Sequence, residues 1–228
     1  MLENSCTVIA GGGHAGIEAA LILAEQKQQV FLVSMEKSAI GRLSCNPAIG
    51  GLGKTHLVKE IDALGGLMGL SADNAALQYK TLNKTKGRAV WSLRAQVDKK
   101  TYPKFIQKKV FNNKYISIVE DEVVSFSIRK NKICSAILKN NEPIACKALI
   151  VTCGTFLNGL IHVGAESFQA GRMGEKNSRG LTETLVNHGF TTQRLKTGTP
   201  PRLSAASIDF DKMTVAGGDN SLSKFSLF

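Results

Sequence analysis

Thr7-Val8-Ile9-Ala10-Gly11-Gly12-Gly13-His14-Ala15-Gly16-Ile17-Glu18-Ala19-Ala20 is the stretch on which the fold turns. An apolar run feeds a glycine string of the form GxGxxG. Ile17, Leu21 and Ala24 then recur at helical spacing, and Val30-Phe31-Leu32-Val33 follows as a second apolar run. Strand, glycine turn, helix and strand within so few residues form the context in which this string carries information. Gly11 makes the tight turn, Gly13 lets the backbone approach a pyrophosphate, and Gly16 allows the helix to pack closely on the strand. Gly12, His14 and Ala15 complete the loop, whose bare amides face phosphates with the positive end of the helix dipole. Glu36, just past the second strand, stands where an acid accepts hydrogen bonds from a ribose diol. The unit is predicted to bind a dinucleotide.

The later sequence bears on which dinucleotide. Ile116–Val119, Glu122–Ile128 and Ile133–Leu138 read as strands, and Asn140-Asn141-Glu142-Pro143 reads as a turn. Ala148–Thr152 is a buried strand ending at Cys153-Gly154-Thr155. A meander returning to a parallel strand points to FAD, because NAD domains usually continue with further βα units. The expected fold class is α/β: a split FAD-binding Rossmann-like domain over 1–155, with a basic helical segment at 80–114 and a β-meander inserted at 116–147. A loop-rich second region follows over 156–228, with a helix from Leu181 to His188. It leads toward an NADH and substrate region, and the end at Phe228 reads as cut.

The 228 residues are 43% hydrophobic and 21% charged, enough for a substantial core. No apolar run is long enough to span a bilayer, and the start lacks the basic and apolar regions of a secretory signal. Five cysteines without regular spacing suggest neither a disulfide framework nor a metal site, which points to a reducing, cytoplasmic setting. Net charge is +11, and eleven Lys or Arg fall between Lys80 and Lys114 against the single acid Asp98. The segment reads either as a solvated helical face or as a surface for a polyanion such as nucleic acid, with Lys99, Lys100, Lys108 and Lys109 as candidate contacts.

Ala48–Thr55 resembles a loose P-loop, yet the residues before it are polar and turn-like, where a P-loop needs a buried strand. The segment reads better as a glycine-rich loop close to a flat ligand, followed by a helix with Leu57, Val58, Ile61 and Leu64 inward. Cys45 lies in that loop, where amides and a helix dipole would favour thiolate. It reads as a reactive thiol or as a packing residue. Cys6, Cys134, Cys146 and Cys153 are expected to be buried. His14 is expected to pack at the helix start, His56 could face a ligand, and no metal cluster is visible.

GGGHAG (Gly11–Gly16) with Ile17-Glu18-Ala19-Ala20, SCNPAIGG (Ser44–Gly51), Gly53-Lys54 and the run from Ile61 to Met68 together resemble the MnmG (GidA) family. Thr155-Phe156-Leu157, Gly171-Arg172 and Arg194–Arg202, which contains KTGTPPR, extend the match in order along almost the whole chain. These are FAD-dependent tRNA uridine 5-carboxymethylaminomethyl modification enzymes.

The resemblance implies that the Gly11–Gly16 loop holds FAD, with Val123 at the adenine side and Ser178 near the cofactor. Cys45 matches one of two functional cysteines. The resemblance further implies a homodimer of the full-length protein and a heterotetramer with two copies of the GTPase MnmE. Together they act on U34, the wobble uridine of certain tRNAs. NADH is the reductant, methylenetetrahydrofolate the one-carbon donor, and glycine or ammonium the amine source. By the family pattern the second cysteine, much of the NADH region and a helical domain for MnmE and tRNA lie beyond Phe228, so this portion alone is expected to be inactive. Alternatives are, within the resemblance, a folate- and FAD-dependent tRNA uridine methyltransferase relative, and beyond it a small-molecule flavin oxidoreductase or an RNA-binding remnant without enzymatic activity.

Overall fold

The computed structural model describes residues 6–44, 46–198, 203–219 and 223–228. Strand β1 (Thr7–Ala10) runs through the glycine turn into helix α1 (His14–Glu25) and returns as β2 (Val30–Ser34). Then come β3 (Ala48–Gly50), α2 (Thr55–Ala63), α3 (Met68–Asn74), β4 (Ala76–Leu82), β5 (Ser92–Val97) and α4 (Thr101–Phe111). Strands β6 (Ile116–Glu120), β7 (Val123–Arg129), β8 (Lys132–Leu138), β9 (Ile144–Ala145) and β10 (Ala148–Val151) follow. The hairpin β11 (Leu160–Val163) and β12 (Glu166–Gln169) and the helix α5 (Leu181–Asn187) come next, followed by short 3-10 turns at Ala205–Ser207 and Phe210–Lys212.

The organising sheet is parallel, with strand order β10-β1-β2-β6. Buried on both sides, it sends alternate residues into two cores. Ile9 and Leu32 pack with Ile17 and Ala20 of α1 and with Tyr102, Ile106 and Val110 of α4. Val8, Ala10 and Val33 pack on the opposite face against Val123, Phe126, Ala136 and Leu138 of the antiparallel β7-β8-β9 meander and Leu181 of α5. The architecture is therefore helices, parallel sheet and meander in layers.

Three expectations need correction. Residues 80–114 are not a helical segment: β4 and β5 pair as an antiparallel hairpin, β3 joins it as a third strand, and the only α-helix among them is Thr101–Phe111, besides a short 3-10 turn at Arg88–Val90. Leu93, Ala95 and Val97 are buried while Arg94 and Gln96 are not, which is the period of two of a half-buried strand. The meander does not start at 116, because β6 pairs with β2 in the parallel sheet; the meander proper is β7 to β9. On α2, Val58 and Asp62 face inward, whereas Leu57 and Leu64 are exposed.

Asp62 is buried because the chain's final segment returns to it. Its Oδ2 accepts from the Leu227 amide at 2.9 Å, and Asp73 accepts from the amides of Phe225 and Ser226. Phe225 is 1% exposed, belongs to the core that also holds residues of α1, α3 and α4, and packs against Gly50. The described residues of 156–228 are loop-rich, yet they contribute a core side chain. Phe225→Ala is expected to lower unfolding stability by about 3–5 kcal/mol, measured by denaturant titration. A change within error would show that the segment rests on the surface.

Candidate functional site

The end of β1 is held on both sides. The Gly11 amide donates to the Val33 carbonyl at 2.9 Å, and Thr152 Oγ1 lies 3.0 Å from the Ala10 oxygen and 3.1 Å from the Gly11 oxygen. Gly11 has φ +117°, and a Cβ there would stand 2.5 Å from the Thr152 oxygen. A Cβ on Gly16 would be driven into the Gly11 carbonyl oxygen. Gly13 is different: it caps α1 with φ −76°, and a Cβ there meets nothing within 4 Å. The loop is therefore closed on its protein side and open at Gly13. The first amides of α1 have no acceptor within the helix, and Gly13 and Ala15 are exposed. A pyrophosphate fits this arrangement.

The other predicted cofactor residues gather at the same edge of the sheet, where the parallel strands end. Glu36 follows β2, its Oε2 3.1 Å from one Arg42 nitrogen; the other is 2.8 Å from Glu175 Oε1. The exits of β2 and β6 are tied together by Lys37 N donating to Glu120 Oε2 and Asp121 N to the Ser34 oxygen. That places Val123, buried at the start of β7, in the next turn along the edge. Ser178 is buried beside the loop that leaves β10. Its amide donates to the Phe156 oxygen at 2.8 Å, and the neighbouring Arg179 amide donates to Glu122 Oε1.

His14 begins α1 with its ring 5.7 Å from that of Tyr102. Its Nε2 is buried without a partner, and burial, then the positive charge of Arg172, lowers its pKa below the ordinary 6.5. His14 is therefore a neutral packing imidazole at neutral pH. Burial raises the thiol pKa values of Cys6, Cys146 and Cys153, the last two to about 11, so these sulfurs stay protonated. Cys45, the predicted reactive thiol, lies outside the described residues, as do Thr199–Arg202 of the KTGTPPR string.

Ala48–Gly50 forms strand β3 within the P-loop-like string, so that string is not a phosphate loop at a parallel strand's end. Lys99, Lys100, Lys108 and Lys109 are all exposed, at the start and in the last turn of α4. Tyr102, Ile106 and Val110 turn to the core, leaving Lys104, Lys108 and Lys109 outward. Sequence reasoning missed the Arg42–Glu175 link between the loops after β2 and β12, whose only local sign was Gly41-Arg42. Among the described residues, no three His, Cys, Asp or Glu side chains gather as a metal site, and no helix is long and apolar enough to cross a membrane.

The family model described as glucose inhibited division protein A matches residues 5–228. The chain belongs to the GidA family. It is 46% identical over 219 residues to the tRNA uridine 5-carboxymethylaminomethyl modification enzyme MnmG of Thermodesulfovibrio yellowstonii, covering 96% of this chain and 35% of that protein. It is 43% identical over 224 residues to the MnmG of Aliarcobacter butzleri, covering 98% of this chain and 36% of that protein. A crystal structure of Aquifex aeolicus GidA superposes with a TM-score of 0.93 at 42% identity, over 99% of this chain and 37% of that one. The GidA-related protein of Thermus thermophilus shares the fold, with a TM-score of 0.59 at 15% identity over 83% of this chain and 70% of that one. The chain thus spans about a third of the length of the curated relatives it matches. It has the mixed α/β, Rossmann-like fold of GidA.

The open side of Gly13 gives a direct test in this GidA-family chain. Gly13→Asp has room for its side chain and a permitted φ, so the melting temperature should stay near the parent's. Its carboxylate would face the pyrophosphate position, and flavin absorbance should disappear from the purified protein. Full flavin content in the folded variant would move the cofactor away from this loop.

Proposed function

We propose that the chain is the FAD-binding portion of an enzyme that, with the GTPase MnmE, adds a carboxymethylaminomethyl group to C5 of the wobble uridine U34 in certain tRNAs. The observation that carries this reading is the identity of more than 40% to proteins of that name over nearly the whole chain. In this reading the Gly11–Gly16 amides bind the pyrophosphate of FAD, Glu36 the ribose, and Val123 the adenine side, with Ser178 close to the cofactor. Bound FAD, reduced by NADH, supplies the redox chemistry. Methylenetetrahydrofolate provides the carbon, and glycine or ammonium the amine. The full-length protein is a cytoplasmic homodimer that assembles with two copies of MnmE.

The chemistry asks for a thiolate. C5 of uracil is a poor nucleophile until a nucleophile adds at C6 and makes the ring enolate-like. Cys45 either makes that bond or relays the proton that resets the ring. Cys45→Ser in the full-length protein keeps the size but raises the side-chain pKa by several units. Modified U34 should vanish from cellular tRNA, read by nucleoside mass spectrometry, while FAD content and MnmE association remain. Normal modification would remove Cys45 from the reaction.

The lysines of α4 contribute to tRNA binding. Reversing Lys99, Lys100, Lys108 and Lys109 to Glu is expected to weaken tRNA binding and flatten its salt dependence. The slope should change by roughly one unit per lost phosphate contact. An unchanged slope would return α4 to a solvated face.

A further inference from the structure

A cavity of about 710 Å³ opens between the start of α2 and the β4–β5 hairpin, within the size range of small-ligand sites. His56, Lys59 and Lys224 are among its described lining residues, and none of these is a carboxylate. One wall is Trp91, the single tryptophan of the sequence, which is 41% exposed. Its indole Nε1 donates to the Lys86 oxygen at 2.9 Å, which fixes the ring. The Arg88 guanidinium lies 5.5 Å from the ring centroid. Leu52 and Val90 add exposed apolar surface beside it.

Trp91 belongs to neither hydrophobic core, so packing does not account for its place. A flat aromatic with a guanidinium 5.5 Å from its centroid, beside Lys59 and Lys224 and with no acid among the described lining residues, suits a ligand that is flat and anionic at once. A duplex offers phosphates but keeps its base faces stacked inside the helix. An acidic peptide offers charge without a face to stack. An unpaired nucleotide offers both, and stacking on aromatic rings and guanidinium planes is how single-stranded RNA is commonly held. Enzymes that act on a base also take it out of its stack. We infer that this cavity holds an unpaired nucleotide of a single-stranded RNA segment. The base would lie against the Trp91–Arg88 pair, with the phosphates toward His56, Lys59 and Lys224. The inference rests on the tRNA reading above and gives it an RNA contact separate from α4.

The test is fluorescence anisotropy of a short, labelled, uridine-rich single-stranded RNA titrated with the whole protein, beside a duplex control. Trp91→Ala should weaken single-strand binding roughly ten-fold and Trp91→Phe by no more than about three-fold, with duplex binding the same in all three. RNA should quench indole emission in the parent, and the difference from Trp91→Phe assigns the quenched ring. Uridine monophosphate should compete, and polyglutamate should not. Equal thermal melting of the variants would confirm that the fold is kept. Unchanged affinity in Trp91→Ala, or no quenching at saturation, overturns the cavity assignment while leaving tRNA binding in place. Competition by polyglutamate alone assigns the cavity to an acidic peptide and also overturns it. If the parent binds no tRNA, single strand or duplex, the tRNA reading falls with it.

Discussion

The close approach of the Gly11 carbonyl to the Cα of Gly16 sets where everything else at the sheet's edge can lie. No side chain fits between them, and the Thr152 hydroxyl bridges the Ala10 and Gly11 oxygens from the far strand. The turn is thus locked to β2 through the Gly11–Val33 bond and to β10 through Thr152. With the turn fixed, α1 must begin at the carboxyl end of the sheet with its free amides outward. The loops after β2, β6 and β10 then close around the same edge. Flexibility at Gly11 or bulk at Gly16 would displace the helix terminus, and with it the backbone amides that face the pyrophosphate position.

The parts of this fold legible in sequence are those whose signal is local. The βαβ unit carries its turn residues and both periodicities within thirty residues, and the structure follows it closely. Strand β6 was equally legible as a strand, but its partner was not. Alternation shows that Ile116–Val119 is extended without showing that it lies beside β2 in parallel. In β5 the apolar alternation of Leu93, Ala95 and Val97 was present but overshadowed by the surrounding lysines. On α2, the apolar stripe Leu57, Val58, Ile61 and Leu64 has no place for Asp62, yet Val58 and Asp62 are the buried pair. Asp62 wins because it meets a backbone amide 165 residues away, which no apolar pattern encodes. The same holds for the site. The strand-end residues were readable, whereas Arg42, which ties Glu36 to Glu175, itself 133 residues away in sequence, was not.

The basic window, one feature in sequence, is two surfaces in space. Its first half makes the hairpin whose tip carries Arg88 and Trp91, and its second half makes the outer face of α4. Strand β5 separates them by roughly 17 Å at about 3.3 Å per residue. A single solvated helix would spread its lysines along one axis. This arrangement instead sets a cationic helix face at one end of the hairpin and an aromatic cavity at the other, a spacing an RNA strand can bridge.

The uneven charge also has a structural origin. Many carboxylates here are turned onto backbone amides, Glu122 while also pairing with Lys139. Glu18 accepts from Leu67 and Met68 at the start of α3, and Asp98 from Lys100 and Thr101 at the start of α4. Asp73 and Asp62 hold the returning segment at 225–227. Asp121 holds the Asn140–Asn141 turn, and Glu122 the Arg179 amide. Such bonds satisfy loop and helix-end donors that would otherwise be orphaned. They also engage acids that would otherwise be free to pair with the lysines. With eighteen acids against twenty-nine cations to begin with, using the acids as internal clamps leaves the outer faces of α4 and the hairpin with little to neutralise them. The same choice that stitches distant loops together therefore produces a surface suited to a polyanion.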